Sequence, residues 1–279
     1  MPTKRTAEDW TPEAIRRFWE WQAPRPELQK QYFSLQVGRA LAGVFELAGG
    51  RRGEVLDFGC GPGYLLQQLC AGGDVRVHGV DFSPRSVEEA ARRMQGVPEF
   101  AGAQAIEALP TKFPDAQFDG LTCIETVEHL RDDQLHGLLA EVRRLLKPGG
   151  IAMFSTPCNE DLERAQAYCP FCDSEFHNMQ HLRYFSPPSL RTLLEGAGLE
   201  VLFCDGLDLW RYQPRKGRRF IDLSLRDVLG DLLGAARRVC ASVVDALFRP
   251  EFSRKLAFRA RLRPGPHLIA VARMPAPGS

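Results

Sequence analysis

Runs of apolar residues alternate with amphipathic segments along most of the chain, and this alternation is its clearest feature. The apolar runs have the length of buried strands, and the segments between them repeat apolar positions at helical spacing. Predicted strands cover Glu54–Phe58, Val75–Val80, Phe100–Ala105, Phe118–Ile124, Ile151–Ser155, Glu200–Cys204 and His267–Met274. Predicted helices cover Tyr64–Cys70, Ser83–Met94, Asp132–Leu146 and Pro187–Gly198. This alternation predicts an α/β fold with a mostly parallel sheet, in which the late strand from His267 runs antiparallel.

Two further segments carry helical patterns without strands. Residues 1–48 predict an N-terminal helical region, in which Thr11 caps a first helix and a second helix begins at about Glu27. Residues 206–265 repeat apolar positions near one helical face, which predicts an amphipathic insert. We therefore expect a core domain at residues 49–205, completed by a last strand and tail at residues 266–279.

Charge is segregated along the chain, although the whole protein carries a formal charge of only +1. Residues 206–265 hold 14 basic and 6 acidic side chains, a local charge of +8, and the remainder carries −7. The basic insert suggests an anionic or lipid-linked substrate or contact with a membrane surface, or else packing on the acidic core as a substrate-side cap. The sequence shows neither a signal peptide nor an apolar stretch of membrane-spanning length, so we expect a cytoplasmic protein.

A glycine-rich loop follows the first predicted strand of the core. Its pattern is Asp57-x-Gly59-Cys60-Gly61-x-Gly63, and a helix follows directly. Glycines allow the backbone to approach a ligand closely, and the helix N-terminus supplies free N–H groups. The second strand ends at Asp81, where a carboxylate can accept hydrogen bonds from ribose hydroxyls or cap the next helix. The glycine spacing differs from that of dinucleotide sites, which argues against a dehydrogenase.

The order of these and later motifs resembles that of class I S-adenosylmethionine (SAM)-dependent methyltransferases, over about residues 50–205. The motifs are Val55–Gly63, Gly79–Ser83, Leu109-Pro110, Phe118-Asp119, Glu128–Leu130 and Leu146–Gly150. The resemblance implies a Rossmann-like, seven-stranded sheet with its last strand reversed, and a helical N-terminal lid. It also implies that the glycine loop contacts the methionine part of SAM, Asp81 the ribose and Phe82 the adenine. An Asp that often binds the adenine amino group is missing here. Gln104 or Glu107 could replace its carboxylate, and the backbone N–H of Ile106 could still bind the adenine ring.

A titratable cluster, Glu125-x-x-Glu128-His129, follows the fourth predicted strand. Glu125 is also a candidate cofactor contact, because strand ends form the active edge of such sheets. His129 can act as a general base, with Glu128 beside it, since histidine titrates near neutral pH. The pattern resembles that of ubiquinone-biosynthesis O-methyltransferases, which implies a Mg²⁺ ion held by Glu125, Glu128 and His129. The alternative is that Glu128 and His129 form a structural pair.

A cysteine–histidine segment lies in the loop at residues 158–186. Cys169, Cys172, His177 and His181 have the spacing C-x₂-C-x₄-H-x₃-H, which predicts a tetrahedral Zn²⁺ site. The alternative is that the cysteines bind nothing. His181 also resembles a histidine that lies near substrate in many methyltransferases, so it is a second catalytic candidate.

These features together predict a SAM-dependent methyltransferase that acts on a hydroxyl group of a small molecule. The first alternative is transfer to nitrogen or carbon of a sugar, lipid or natural-product intermediate. The second is a non-catalytic protein that uses the same fold to bind SAM or a partner. Nucleic acid is a disfavoured acceptor, because the sequence lacks the Asn/Asp-Pro-Pro-Tyr/Phe element of amino-methylating enzymes.

Overall fold

The computed structural model describes residues 2–71, 74–212 and 265–276. Most of the predicted amphipathic insert, and with it the predicted membrane or lipid contact, falls on residues 213–264 and lies outside the described residues. Within the described part of the chain, no helix is both long and apolar enough to cross a membrane.

The described chain contains ten strands and seven α-helices. The strands are β1 (Thr3–Lys4), β2 (Gly53–Phe58), β3 (Val75–Asp81), β4 (Phe100–Ala105), β5 (Phe118–Ile124), β6 (Leu146–Pro157), β7 (Gln166–Cys169), β8 (Ser174–His177), β9 (Glu200–Leu207) and β10 (His267–Arg273). The helices are α1 (Pro12–Gln22), α2 (Pro26–Gln29), α3 (Phe33–Leu47), α4 (Tyr64–Cys70), α5 (Pro84–Arg93), α6 (Asp132–Leu145) and α7 (Pro187–Gly196).

Seven strands form one sheet in the order β4-β3-β2-β5-β6-β10-β9. β10 runs antiparallel to both of its neighbours, and the pairs among the first five strands of this order are parallel. Apolar side chains of α3, α4 and α5 pack on one face of the sheet, and those of α6 and α7 pack on the other. The predicted seven-stranded, Rossmann-like α/β sheet with a reversed last strand is thus confirmed.

Two elements differ from their predicted form. The second N-terminal helix is divided into α2 and α3, because Tyr32 takes an extended backbone conformation at the start of α3. β6 begins at Leu146, five residues before its predicted start, because Leu146 already pairs with Phe118 of β5. Residues 147–150, whose Lys-Pro-Gly-Gly sequence is typical of a tight turn, are therefore part of the strand.

A separate three-stranded sheet has the order β1-β8-β7 and was not predicted. β7 and β8 form an antiparallel hairpin in the loop after β6. β1 pairs parallel with β8, Thr3 opposite Ser174, so the N-terminal segment is attached to this loop. Residues of both segments line the candidate site.

Candidate active site

The glycine loop adopts the conformation that its sequence requires. Gly59, Gly61 and Gly63 all have positive φ, at 79°, 50° and 84°, which side chains rarely adopt. A Cβ atom at Gly59 would also overlap Thr126, in the loop after β5. Asp57, at the end of β2, is buried and accepts a 2.7 Å hydrogen bond from the Thr122 hydroxyl. Burial raises the pKa of Asp57 to about 7.

Asp81 connects the glycine loop to the end of β3. One carboxylate oxygen accepts a 2.9 Å hydrogen bond from the backbone N–H of Gly61, and the other accepts one of 2.8 Å from Ser83. The Ser83 hydroxyl caps α5, because it accepts a hydrogen bond from the backbone N–H of Ser86. The alternative that Asp81 itself caps this helix is therefore wrong. Each carboxylate oxygen has a second lone pair, and Asp81 lines the adjoining pocket.

A pocket adjoins the glycine loop, Asp81 and the loop after β5. It is lined by Ile15, Arg16, Trp19, Gln22, Gln31, Tyr32, Phe33, Ser34, Gly59, Cys60, Gly61, Asp81, Phe82, Ser83, Ser86, Ile124, Glu125, Thr126, His129, Leu130, Met179 and His181. Most of the predicted cofactor residues are among them. Asp57 and Gly63 lie behind this surface and support it.

Ile106 does not have the predicted role in the structure. Its backbone N–H donates a 2.9 Å hydrogen bond to the carbonyl of Asp81, because β4 continues pairing with β3 up to that point. That N–H is therefore already engaged and is not available to an adenine ring. The side chain of Ile106 is buried in the core below the sheet edge.

The N-terminal helices form one wall of the pocket. Trp19 of α1 packs against His129 with ring centroids 4.7 Å apart. Its indole N–H donates a 2.9 Å hydrogen bond to the side-chain oxygen of Gln180, in the loop after β6. Tyr32 lies against the glycine loop near Gly61. The extended backbone at Tyr32, which divides the predicted helix, thus accompanies a contact with the loop.

The three residues of the Glu-x-x-Glu-His pattern have different surroundings. Glu125 has a φ of 48° at the end of β5, and its carboxylate accepts a 2.7 Å hydrogen bond from the Ser155 hydroxyl. Burial raises the pKa of Glu125 to about 7. Glu128 is fully buried, and among the described residues neither of its carboxylate oxygens has a hydrogen-bond partner of good geometry. Burial, followed by the charge of Glu125, raises the Glu128 pKa.

His129 is buried beside Glu128 and fixed by the loop after β6. Its Nδ1 lies 3.4 Å from the carbonyl oxygen of Gln180, and its Nε2 lies 3.8 Å from Oε1 of Glu128. The side-chain amide of Gln180 donates a 2.9 Å hydrogen bond to the backbone carbonyl of His129. Burial, then the neighbouring His181, lowers the His129 pKa well below its usual range, so the ring is neutral at pH 7.

The structure does not assemble the predicted zinc site. In the β7–β8 hairpin, Cys169 lies opposite Ser174, and His177 lies opposite Gln166. Cys169 and His177 are therefore three residue pairs apart along the hairpin, a separation of about 10 Å. Cys172 is exposed at the turn, where its thiol lies 3.0 Å from the Ser174 hydroxyl. The hairpin register therefore separates the cysteines from the histidines, and the four-ligand prediction is wrong.

The two histidines of that segment instead face Glu160, which the sequence analysis did not single out. Nδ1 of His181 is hydrogen-bonded to one carboxylate oxygen of Glu160, and Nε2 of His177 lies 3.6 Å from the other. The rings of His177 and His181 stack with centroids 4.4 Å apart, and His181 lies 4.8 Å from His129. His181 thus joins the cluster after β5 and lines the same pocket.

Comparisons with known proteins agree with this geometry. A family model described as a methyltransferase domain matches residues 28–202, which is more than half of the chain. The chain belongs to this methyltransferase family. It is 32% identical over 188 residues to a ubiquinone biosynthesis O-methyltransferase of Idiomarina loihiensis, covering 63% of this chain and 70% of the relative. A ubiquinone biosynthesis O-methyltransferase of Xanthomonas euvesicatoria pv. vesicatoria is 30% identical over 218 residues, covering 73% of this chain and 84% of the relative.

Solved structures share the fold. The DhpI–SAH complex superposes with a TM-score of 0.57 at 21% identity, covering 95% of this chain and 97% of that one. The [4+2]-cyclase SpnF superposes with a TM-score of 0.57 at 17% identity, covering 99% of both chains. The protein is a SAM-dependent methyltransferase of class I, as its motifs predicted.

Three residues of this methyltransferase's pocket region escaped the sequence analysis: Trp19, Glu160 and Gln180. Glu160 follows the end of β6 closely, and strand carboxyl ends form the active edge, so its position was a usable signal. Trp19 and Gln180 belong to segments that meet only in the folded protein, and no local pattern pairs them.

Proposed function

We propose that this methyltransferase transfers the methyl group of SAM to a hydroxyl oxygen of a small, largely apolar acceptor. The observation that carries the proposal is the placement of two histidines, His129 and His181, in the same pocket as the glycine loop and Asp81. Transfer to oxygen needs a hydroxyl that has lost its proton or nearly so. The neutral imidazole of His129 can accept such a proton at pH 7.

The apolar walls of the pocket support an acceptor with a hydrophobic body. Ile15, Trp19, Leu130 and Met179 line it beside the two histidines. Such walls exclude water and leave the polar groups to orient the ligand. The relatives named as ubiquinone biosynthesis O-methyltransferases support the same class of reaction, and the acceptor itself remains part of this proposal.

Asp81 and the glycine loop would bind SAM, and the histidine side of the pocket would bind the acceptor. The sulfonium of SAM is already activated, so the protein needs only to align the two reactants and exclude water. Glu125 lines the same pocket, directly after the end of β5. Its carboxylate is fixed by Ser155 and can contact either ligand.

A labelling experiment tests the proposal. The protein is incubated with methyl-¹³C SAM and a panel of phenols, catechols, amines and activated carbon acids, and each product is located by NMR. We expect the label on phenolic oxygen. In a variant with both His129→Asn and His181→Asn, we expect kcat to fall by about 10²-fold or more while the Kd for SAM stays unchanged. Label on nitrogen or carbon alone would refute the proposal.

A further inference from the structure

Glu128, His129 and His181 bring three metal-ligating groups together, and the two histidines line the pocket. One ligand atom from each lies within 4.8 Å of the other two. Glu128 and His129 come from the loop after β5, and His181 comes from the loop after β6. The backbone N–H of Leu182 donates a 2.8 Å hydrogen bond to the carbonyl of Glu128, which holds the two loops in this arrangement.

The carboxyl group of Glu128 lacks the hydrogen-bond partners that a buried polar group requires. Its side chain is 0% exposed, and within the described part of the chain neither oxygen accepts a hydrogen bond of good geometry. A buried polar group without a partner costs about 1–3 kcal/mol, and more when it is charged. A cation at this point would supply the missing partner.

The tautomers of the two histidines leave one nitrogen of each available for a metal. Nδ1 of His129 faces the carbonyl oxygen of Gln180, and Nδ1 of His181 faces the carboxylate of Glu160. Both acceptors favour a proton on Nδ1, so Nε2 of each ring keeps its lone pair. Metal-binding histidines have this arrangement, in which the second ring nitrogen donates to a carbonyl or a carboxylate.

A second group of three, Glu160, His177 and His181, is less suited to a metal ion. Nδ1 of His177 accepts backbone hydrogen bonds from His181 at 3.2 Å and from Met179 at 3.4 Å. A neutral ring whose Nδ1 accepts must carry its proton on Nε2, the atom that faces Glu160. His177 therefore offers no lone pair there, and Glu160 serves to orient His181.

The magnesium set implied by the resemblance does not fit these surroundings. Glu125 is not among the residues whose ligand atoms come together, and one of its carboxylate oxygens accepts the Ser155 hydroxyl. The group that does form contains two imidazoles and one carboxylate, whereas Mg²⁺ prefers oxygen ligands and Zn²⁺ and related ions accept imidazole. We propose that Glu128, His129 and His181 bind a divalent transition-metal ion of the zinc type.

Binding requires only small side-chain movements. Zinc–ligand distances of about 2.1 Å place neighbouring ligands about 3.4 Å apart, and Nε2 of His129 already lies 3.8 Å from Glu128. When bound, the ion would act as a Lewis acid on the acceptor hydroxyl, a role that rests on the proposed function. The two imidazoles would then be ligands instead of proton acceptors.

Cobalt titration of the full-length protein tests the metal site without any acceptor. The protein is stripped with EDTA, its fold is checked by circular dichroism, and Co²⁺ is added while the visible spectrum is recorded. We expect about one Co²⁺ per chain, displaced by Zn²⁺, without a thiolate charge-transfer band. We expect Glu128→Gln, His129→Asn and His181→Asn each to weaken Co²⁺ binding by at least about tenfold. Glu160→Gln should weaken it about 10–100-fold through the orientation of His181.

Two matched variants distinguish the rival ligand sets. Cys172→Ser should leave the Co²⁺ affinity unchanged. Glu125→Gln should weaken Co²⁺ binding much less than Glu128→Gln does, because Glu125 acts on the site only through its charge on Glu128. A thiolate band, or lost binding in Cys172→Ser, would assign the metal to the cysteines and overturn the proposal. A loss in Glu125→Gln as large as that in Glu128→Gln would also overturn it, and so would wild-type protein that is folded but binds no Co²⁺. Because no acceptor is present, these outcomes are independent of whether the enzyme methylates oxygen.

Discussion

Replacing Gly59 by alanine should damage the cofactor site in two separable ways. The residue has a φ of 79°, and a side chain in the left-handed region costs roughly 1–2 kcal/mol. The added Cβ would also overlap Oγ1 of Thr126 and lie 3.0 Å from its Cγ2, a clash of the kind that costs about 1–3 kcal/mol. We expect the free energy of unfolding to fall by about 2–5 kcal/mol in total, and SAM to bind more weakly.

Gly149 provides the matched control. It has a φ of 76°, but a Cβ there would meet no atom within 4 Å. Gly149→Ala should therefore show only the backbone cost, with the Kd for SAM unchanged. Urea unfolding gives the stabilities and calorimetry gives the affinities. Equal losses of stability in the two variants, with SAM binding intact in both, would refute the predicted clash. A double variant, Gly59→Ala with Thr126→Ala, that recovers none of the stability lost in Gly59→Ala would also refute it.

Three further predictions concern neighbouring groups. Because burial raises the folded-state pKa of Asp57 from 3.8 to about 7, the wild-type free energy of unfolding should fall by up to roughly 4 kcal/mol as the pH rises between those values. Asp57→Asn should remove this pH dependence. If the free energies of unfolding of both proteins change with pH in the same way across pH 4–8, the prediction is contradicted. Asp81→Ala removes the acceptor for Gly61 and Ser83, so calorimetry should show the Kd for SAM raised about 10–100-fold, and an unchanged Kd would count against Asp81 as the ribose ligand. Trp19→Phe keeps an aromatic ring against His129 but removes the hydrogen bond to Gln180, so it should lower the free energy of unfolding, measured by thermal unfolding, by about 1 kcal/mol. A variant as stable as the wild type would show that this hydrogen bond does not stabilise the protein.

The sequence was most informative where local pattern and tertiary context agree. β5 matches its predicted bounds, and α4 does the same, because each lies in a continuous apolar or amphipathic run. The start of β6 was misjudged, because Lys147–Gly150 carries a turn pattern although pairing with β5 begins before it. Strand bounds at such positions depend on the neighbouring strand, which a single sequence does not identify.

The sequence indicated the cofactor side of the candidate site more completely than the histidine side. Gly59, Gly61 and Asp81 lie close together in one βαβ unit, so their spacing carries the geometry. The histidine side brings Trp19 of α1 and His129 after β5 together with Glu160 and His181 of the loop after β6. The zinc prediction was wrong for the same reason, since the spacing of cysteines and histidines does not reveal the hairpin register that separates them.

The position of β10 has a consequence for how the protein is made. This strand, near the end of the chain, lies between β6 and β9, so a growing chain cannot complete its sheet until residues 267–273 leave the ribosome. Until then the hydrogen-bonding edge of β6 is open, and an exposed strand edge is a site of aggregation. A premature stop anywhere before His267 would leave that edge permanently uncovered, and such products should be found with chaperones or in inclusion bodies.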